Sequence, residues 1–185
     1  MAFSPELRAA LEWMREDFEA LVGHAPREEL DRPSEGTKWS NRELLFHMWF
    51  GQRIARVMVP VMGGFSRLPD GVARGYARVL AAATAPYEWV NYIGSVGGAK
   101  LLGLQRARRW MARDTKWLVG WADGATEAEL ARGMSVPPSW DPYFSAWMTG
   151  EDLLEWAPKH YRHHRAQLTL SNVRAGRDGG VGGLS

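Results

Sequence analysis

The sequence predicts an all-α fold built on four main helices. Apolar residues recur at three- and four-residue spacing through several long segments, helix-start signals precede the first, second and last of them, and no pair of alternating, strand-like segments stands out. The chain of 185 residues, 45% hydrophobic and 24% charged, fits one soluble globular domain with a real core. That domain is expected over residues 1–173, followed by a Gly-rich, disordered tail over 174–185.

Ser4-Pro5-Glu6 opens the first helix, a hydroxyl cap followed by Pro at the first helical position. Leu7, Leu11, Met14, Phe18 and Leu21 carry it from Pro5 to Val22. Ser40 with Glu43 forms a capping box for the second helix. Its apolar face reads Leu44, His47, Phe50, Gly51, Ile54, Met58 and Val61, and it ends by Gly63-Gly64. Residues 69–83 suggest a shorter helix, whereas Pro86 to Gly98 fits no single element. The apolar stretch Val79–Ala99 is interrupted by Pro86, Glu88 and Asn91, so it reads as buried or pocket-lining and not as a membrane span. A third long helix is expected from Ala99 to Ala122, and a short one from Thr126 to Ala131. The three prolines between Met134 and Trp147 predict a loop or extended segment. Thr149 with Asp152 starts the last helix, which Pro158 should kink or split. Trp13, Trp110, Trp117 and Trp121 are expected in the core or at an interface.

Composition excludes several chemistries. There is no cysteine, so disulfides, a thiolate nucleophile and thiolate zinc sites are ruled out, and any metal must rest on His, Asp or Glu. Lys and Arg exceed Asp and Glu by 23 to 21, and acids sit among the bases along the helices, which argues against a nucleic-acid partner. The N-terminus carries Glu6 and Arg8 without a signal-peptide apolar run, favouring a cytoplasmic location.

The chemistry points to the histidines. At about 100° per residue, Leu44, Phe50, Gly51 and Ile54 fall within about 60° of His47, while Arg42, Trp49 and Arg53 point away. An imidazole thus sits at the centre of a core-facing stripe. On the last helix His160 and His164 stack one turn apart, the helical pair used in zinc sites. Leu153, Ala157 and Leu168 cluster around His164, with His160 on their flank, and His163 lies about 60° further out. His163 is therefore a rim residue and the one candidate general base, and Gln167 near the inward face is a candidate supporter of ligand or substrate. Three buried imidazoles without partners would destabilise the fold, and a shared ion removes that objection. Three such ligands, His47, His160 and His164, leave a fourth position open for water or substrate. His24, in the first connection, reads as an exposed loop residue.

The segments W-S-N-R-E-L-L-F-H at Trp39–His47, W-D-P-Y-F at Trp140–Phe144 and H-Y-R-H-H-R-A-Q-L at His160–Leu168, the last preceded by Met148-Thr149, give the chain from Pro5 to Val173 a resemblance to the DinB/YfiT-like superfamily of presumed metalloenzymes. The resemblance implies a four-helix bundle with a long crossover between its second and third helices, often dimeric. It also implies a metal site, usually zinc or nickel, whose triad corresponds to His47, His160 and His164. Characterised relatives include S-transferases and isomerases that use mycothiol, bacillithiol or glutathione. Trp39, Trp140, Asp141 and Tyr143, in or beside these motifs, are candidates for a substrate pocket. The leading expectation is a divalent-metal enzyme acting on a small molecule, with mycothiol or another low-molecular-weight thiol as co-substrate. The alternative is a non-enzymatic, metal-stabilised ligand-binding bundle. A DNA-associated role is suggested by the family name alone, and the charge pattern does not favour it.

Overall fold

The computed structural model describes residues 3–65 and 84–171. The helix expected over 69–83 and the tail over 174–185 lie outside the described residues. Seven helices follow in chain order: α1 (Pro5–His24), α2 (Arg27–Leu30), α3 (Asn41–Phe65), α4 (Thr84–Leu101), α5 (Leu104–Gly124), α6 (Glu127–Leu130) and α7 (Gly150–Ala166). The long helices begin where the caps predicted. Ser4 accepts from the Leu7 N–H, Ser40 and Glu43 cap one another across the first turn of α3, and Thr149 and Asp152 do the same for α7. His24 closes α1 and does not stand in the following loop; its Nδ1 lies 3.0 Å from the Ala20 carbonyl.

The bundle consists of α1, α3, α5 and α7. Both α1 and α3 pack against α5 and α7, which sets α1 and α3 on opposite corners. The connection from α3 to α5 is the long crossover, and α4 within it packs back onto α3. Sequence reading placed one helix start at Ala99; instead α4 runs to Leu101 and α5 begins at Leu104. The break falls at Gly103, whose φ of 74° a side chain would disfavour. The stretch that fitted no element is helical, and its face is not wholly buried, for Trp89, Tyr92 and Ile93 are exposed.

Two corrections concern the last third of the chain. Gly133–Ser135 and Trp147–Thr149 pair as two short antiparallel strands, β1 and β2, where no strand pair was expected. They are three residues each, too short for alternation to register in the sequence. Pro158 also does not split the last helix: α7 runs unbroken from Gly150 to Ala166 with Pro158 buried inside it.

The centre of the molecule is α3. Leu45, Met48, Gln52, Ala55, Val59 and Met62 form its seam in the core, while Leu44, His47 and Gly51 are buried beside them. Trp49, expected to point away, is also buried, and its Nε1 donates to Asp114 of α5. Arg53 and Arg56 converge on the same fully buried carboxylate at 3.0 and 2.6 Å, and their guanidinium groups lie over Trp49 and Trp117. The supposed solvent face of α3 is thus a second packed face, in which one acid on α5 pairs with both arginines while these keep some contact with water. Asn41, fully buried at the start of α3, donates to the Glu29 carbonyl and Thr169 Oγ1 and accepts from the Thr169 N–H. This clasp ties the start of α3 to the turn that follows α7.

Asp114→Ala removes the shared partner of Arg53, Arg56 and Trp49 Nε1. Because both arginines keep some contact with water, a loss of about 2–3 kcal/mol is expected, read as a fall of about 5–10 °C in a thermal melt.

Candidate metal centre

The seam between α3 and α7 brings His47, His160 and His164 together. One ring nitrogen from each lies within 4.8 Å of the others, the only such group of His, Cys, Asp or Glu with three or more members among the described residues. The two helices run antiparallel here: His47 meets His164, and Gly51 meets His160 and Trp156. Gly51 is essential to that approach. A Cβ at this position would stand 2.8 Å from both Cδ2 and Nε2 of His160, closer than side-chain atoms pack.

The hydrogen bonds behind the rings fix their tautomers. Asp141 accepts the Tyr143 N–H on Oδ1 (2.9 Å) and faces His160 Nδ1 with Oδ2 (2.7 Å), so Nδ1 of His160 is the donor. Gln167 Oε1 accepts from His164 Nδ1 at 2.7 Å. Ser95 gives its one proton to the Asn91 carbonyl at 2.8 Å, so at 3.3 Å its oxygen accepts from His47 Nδ1. With all three Nδ1 atoms protonated, all three Nε2 atoms present lone pairs. His160 Nε2 is buried without a hydrogen-bond partner. His47 Nε2 and His164 Nε2 stand 3.2 Å apart. Nitrogens bound to one tetrahedral ion at about 2.0–2.1 Å would be about 3.3 Å apart. The donor set and its spacing fit a divalent cation.

Electrostatics agree. Burial, with the neighbouring His160 and His164 charges, pushes His47 well below the usual histidine range, and burial with the His160 charge pushes His164 to about 3. Both rings are therefore neutral at pH 7, the state in which imidazole binds a metal. Burial acts to raise the Asp141 carboxyl, but its hydrogen bond and charge attraction with His160 outweigh this and hold it below the usual carboxylate range.

An open cleft of about 810 Å³ reaches the triad at His164, with Lys38, Trp39, Trp89, Tyr92 and Gln167 among its walls. Trp39 stacks on His47 at 4.4 Å between centroids. His163 is half-buried, one position outside the triad, with Nδ1 3.3 Å from the Tyr143 hydroxyl. Gln167 both lines the cleft and supports His164. Asp141 turns inward to His160, and Trp140 lines a separate apolar cavity with Asn91. Reasoning from sequence did not find Ser95 and Asn91. They lie four residues apart in a segment whose helical period is obscured by small residues, and that spacing was the one signal available. It offered Asp141 as a pocket residue and not as the partner of His160, because Asp141 reaches that ring from a proline-rich loop where helical geometry gives no guide.

A helical bundle with an inward-facing tri-histidine cluster is the class that fold and site define together. The chain belongs to the DinB superfamily, whose family model matches residues 10–168. Among solved structures it is similar to YfiT from Bacillus subtilis, described as a probable metal-dependent hydrolase with an unusual four-helix bundle topology. That match has 18% identity and a TM-score of 0.57, covering 91% of this chain and 87% of the other. No curated protein matches the chain.

Gly51→Ala is expected to leave far-UV circular dichroism near wild type while cutting zinc taken up per chain severalfold, because the new methyl occupies the space at His160 Nε2. Asp141→Asn removes the charged acceptor behind His160, and zinc affinity measured by chelator competition should fall about 10–100-fold.

Proposed function

We propose that the protein is a divalent-metal-dependent enzyme that holds its ion through Nε2 of His47, His160 and His164. The single observation that carries this reading is the convergence of three lone pairs whose opposite ring nitrogens are all committed to acceptors. Zinc and nickel are among the ions that neutral imidazole suits. The described residues supply no fourth His, Cys, Asp or Glu to the cluster, and His164 borders an open cleft, which favours a reaction centre over a closed structural site.

A bound ion would supply Lewis acidity and lower the pKa of a coordinated water or thiol. The chain's own residues account for the rest. Asp141, Gln167 and Ser95 hold the three rings in one tautomer and orientation. Trp39, stacked against His47, keeps bulk water off one side of the triad and offers a flat wall to substrate. His163, next to His164 and paired through Nδ1 with the Tyr143 hydroxyl, is the residue to which this reading assigns proton transfer. Two reaction types use this machinery: hydrolysis, which the description of YfiT favours, and transfer to a low-molecular-weight thiol such as mycothiol, for which the absence of cysteine in the chain leaves the co-substrate to bring the sulfur.

Purified protein is expected to carry about one zinc or nickel per chain by elemental analysis. His160→Ala should lose that metal, lower the melting temperature and abolish turnover in a panel of ester, amide and thiol-transfer substrates. His163→Ala should keep the metal and lower kcat about 10²-fold or more. Metal content unchanged in His160→Ala would overturn the assignment. Full metal binding with no turnover across the panel would favour the non-enzymatic ligand-binding bundle.

A further inference from the structure

Beside the triad lies a second cavity of about 210 Å³, which shares Asn91 with the open cleft. Its walls are Phe50, Ile54 and Met58 of α3, Leu153 of α7, and Val136, Trp140 and Phe144 of the loop that joins the two strands. Phe50 and Ile54 continue the α3 face that carries His47, one and two turns further on, and Leu153 lies two turns before His160 on α7. The cavity therefore extends the same seam that holds the triad.

Protein interiors hold few voids larger than a water molecule, because an unfilled apolar space forfeits packing contacts. A partly open cavity of this size, with seven large apolar side chains among its described walls, leaves apolar surface for a ligand to cover. Cavities of about 150 Å³ with such walls stay dry and admit benzene. Among the described lining residues Asn91 is the one whose side chain is not largely apolar. Its side chain reaches His47, where it favours the charged ring, it lines the open cleft as well, and its buried Oδ1 has no other partner. An amide oxygen has two lone pairs, so Asn91 can still accept from a donor that enters.

We propose that this cavity is the specificity subsite of the enzyme. It seats a compact, uncharged apolar group, a phenyl ring or a short alkyl chain, of a substrate that carries an N–H or O–H donor to Asn91 Oδ1 and reacts at the triad. The assignment to a substrate rests on the metal-enzyme reading above. The occupancy of the cavity does not.

Benzyl alcohol, an aryl group with one O–H donor, is the probe. Crystals of the wild-type protein soaked in it are expected to show the ring among Phe50, Ile54 and Val136, with the hydroxyl toward Asn91. In solution, Val136→Phe should weaken binding at least tenfold by ligand-observed NMR, with metal content unchanged. Should Val136→Phe fail to fold, Ile54→Phe fills the same space from α3 and gives the same comparison. Binding between Trp39 and Trp89 that either filled variant leaves intact would overturn the proposal, as would no binding to the wild type. Wild-type protein that takes up no zinc or nickel would overturn the metal-enzyme reading, and the ring seated in its cavity would leave the pocket as a ligand site.

Discussion

Three imidazoles with their N–H groups turned outward cannot satisfy one another. That constraint organises the site, because Asp141, Gln167 and Ser95 each take one Nδ1 hydrogen, and the three Nε2 lone pairs then face a common point. Two of those nitrogens are 3.2 Å apart with no proton left for the space between them. Such an arrangement suits a cation, and burial holds His47 and His164 below the usual histidine range. The supporting residues come from three different places: α4, the loop between β1 and β2, and the turn that follows α7. The site is thus distributed over the fold even though its three histidines occupy two helices.

The bundle answers by placing α3 where it is buried on nearly every side. One face joins the core, a second carries His47 and Gly51 to α7, and a third buries Trp49 against Asp114. A helix so enclosed has little freedom to rotate, so the position of His47 is set by packing that does not involve the site. The Asn41 clasp adds an anchor at the other end of the seam. It joins the start of α3 to Thr169, two residues after Gln167, and the Glu35 N–H bonds the Gln167 carbonyl at 2.8 Å. Trp39 lies between these anchors, which couples the wall of the cleft to the support of His164.

Much of this was legible in the sequence, for identifiable reasons. Helix caps are local chemistry, so Ser4, Ser40 and Thr149 marked their helices correctly. The triad could be chosen because its members share the apolar periodicity of their helices, and the angular offset of one residue separated His164 from His163. What could not be read depends on contacts distant in sequence. Trp49, Arg53 and Arg56 look like a solvent face until Asp114 is brought against them. Asp141 looks like a pocket residue until the loop folds under His160. Gly103 interrupts what periodicity alone would run together, and Pro158 lies inside a helix that the surrounding packing keeps whole.

Gly51 has a consequence for how the halves of the molecule find their alignment. Along the packed stretch of α3 it is the only position without a side chain, and one turn to either side stand His47 and Ala55. His160 fits into this notch and into neither neighbouring position. A slip of α7 by one turn would drive the imidazole against a Cβ, so the notch acts as a key for the register of the two helices. The same missing methyl that admits a histidine thus selects one docked arrangement out of several that hydrophobic matching would allow, and the triad is aligned by steric fit before any ion arrives.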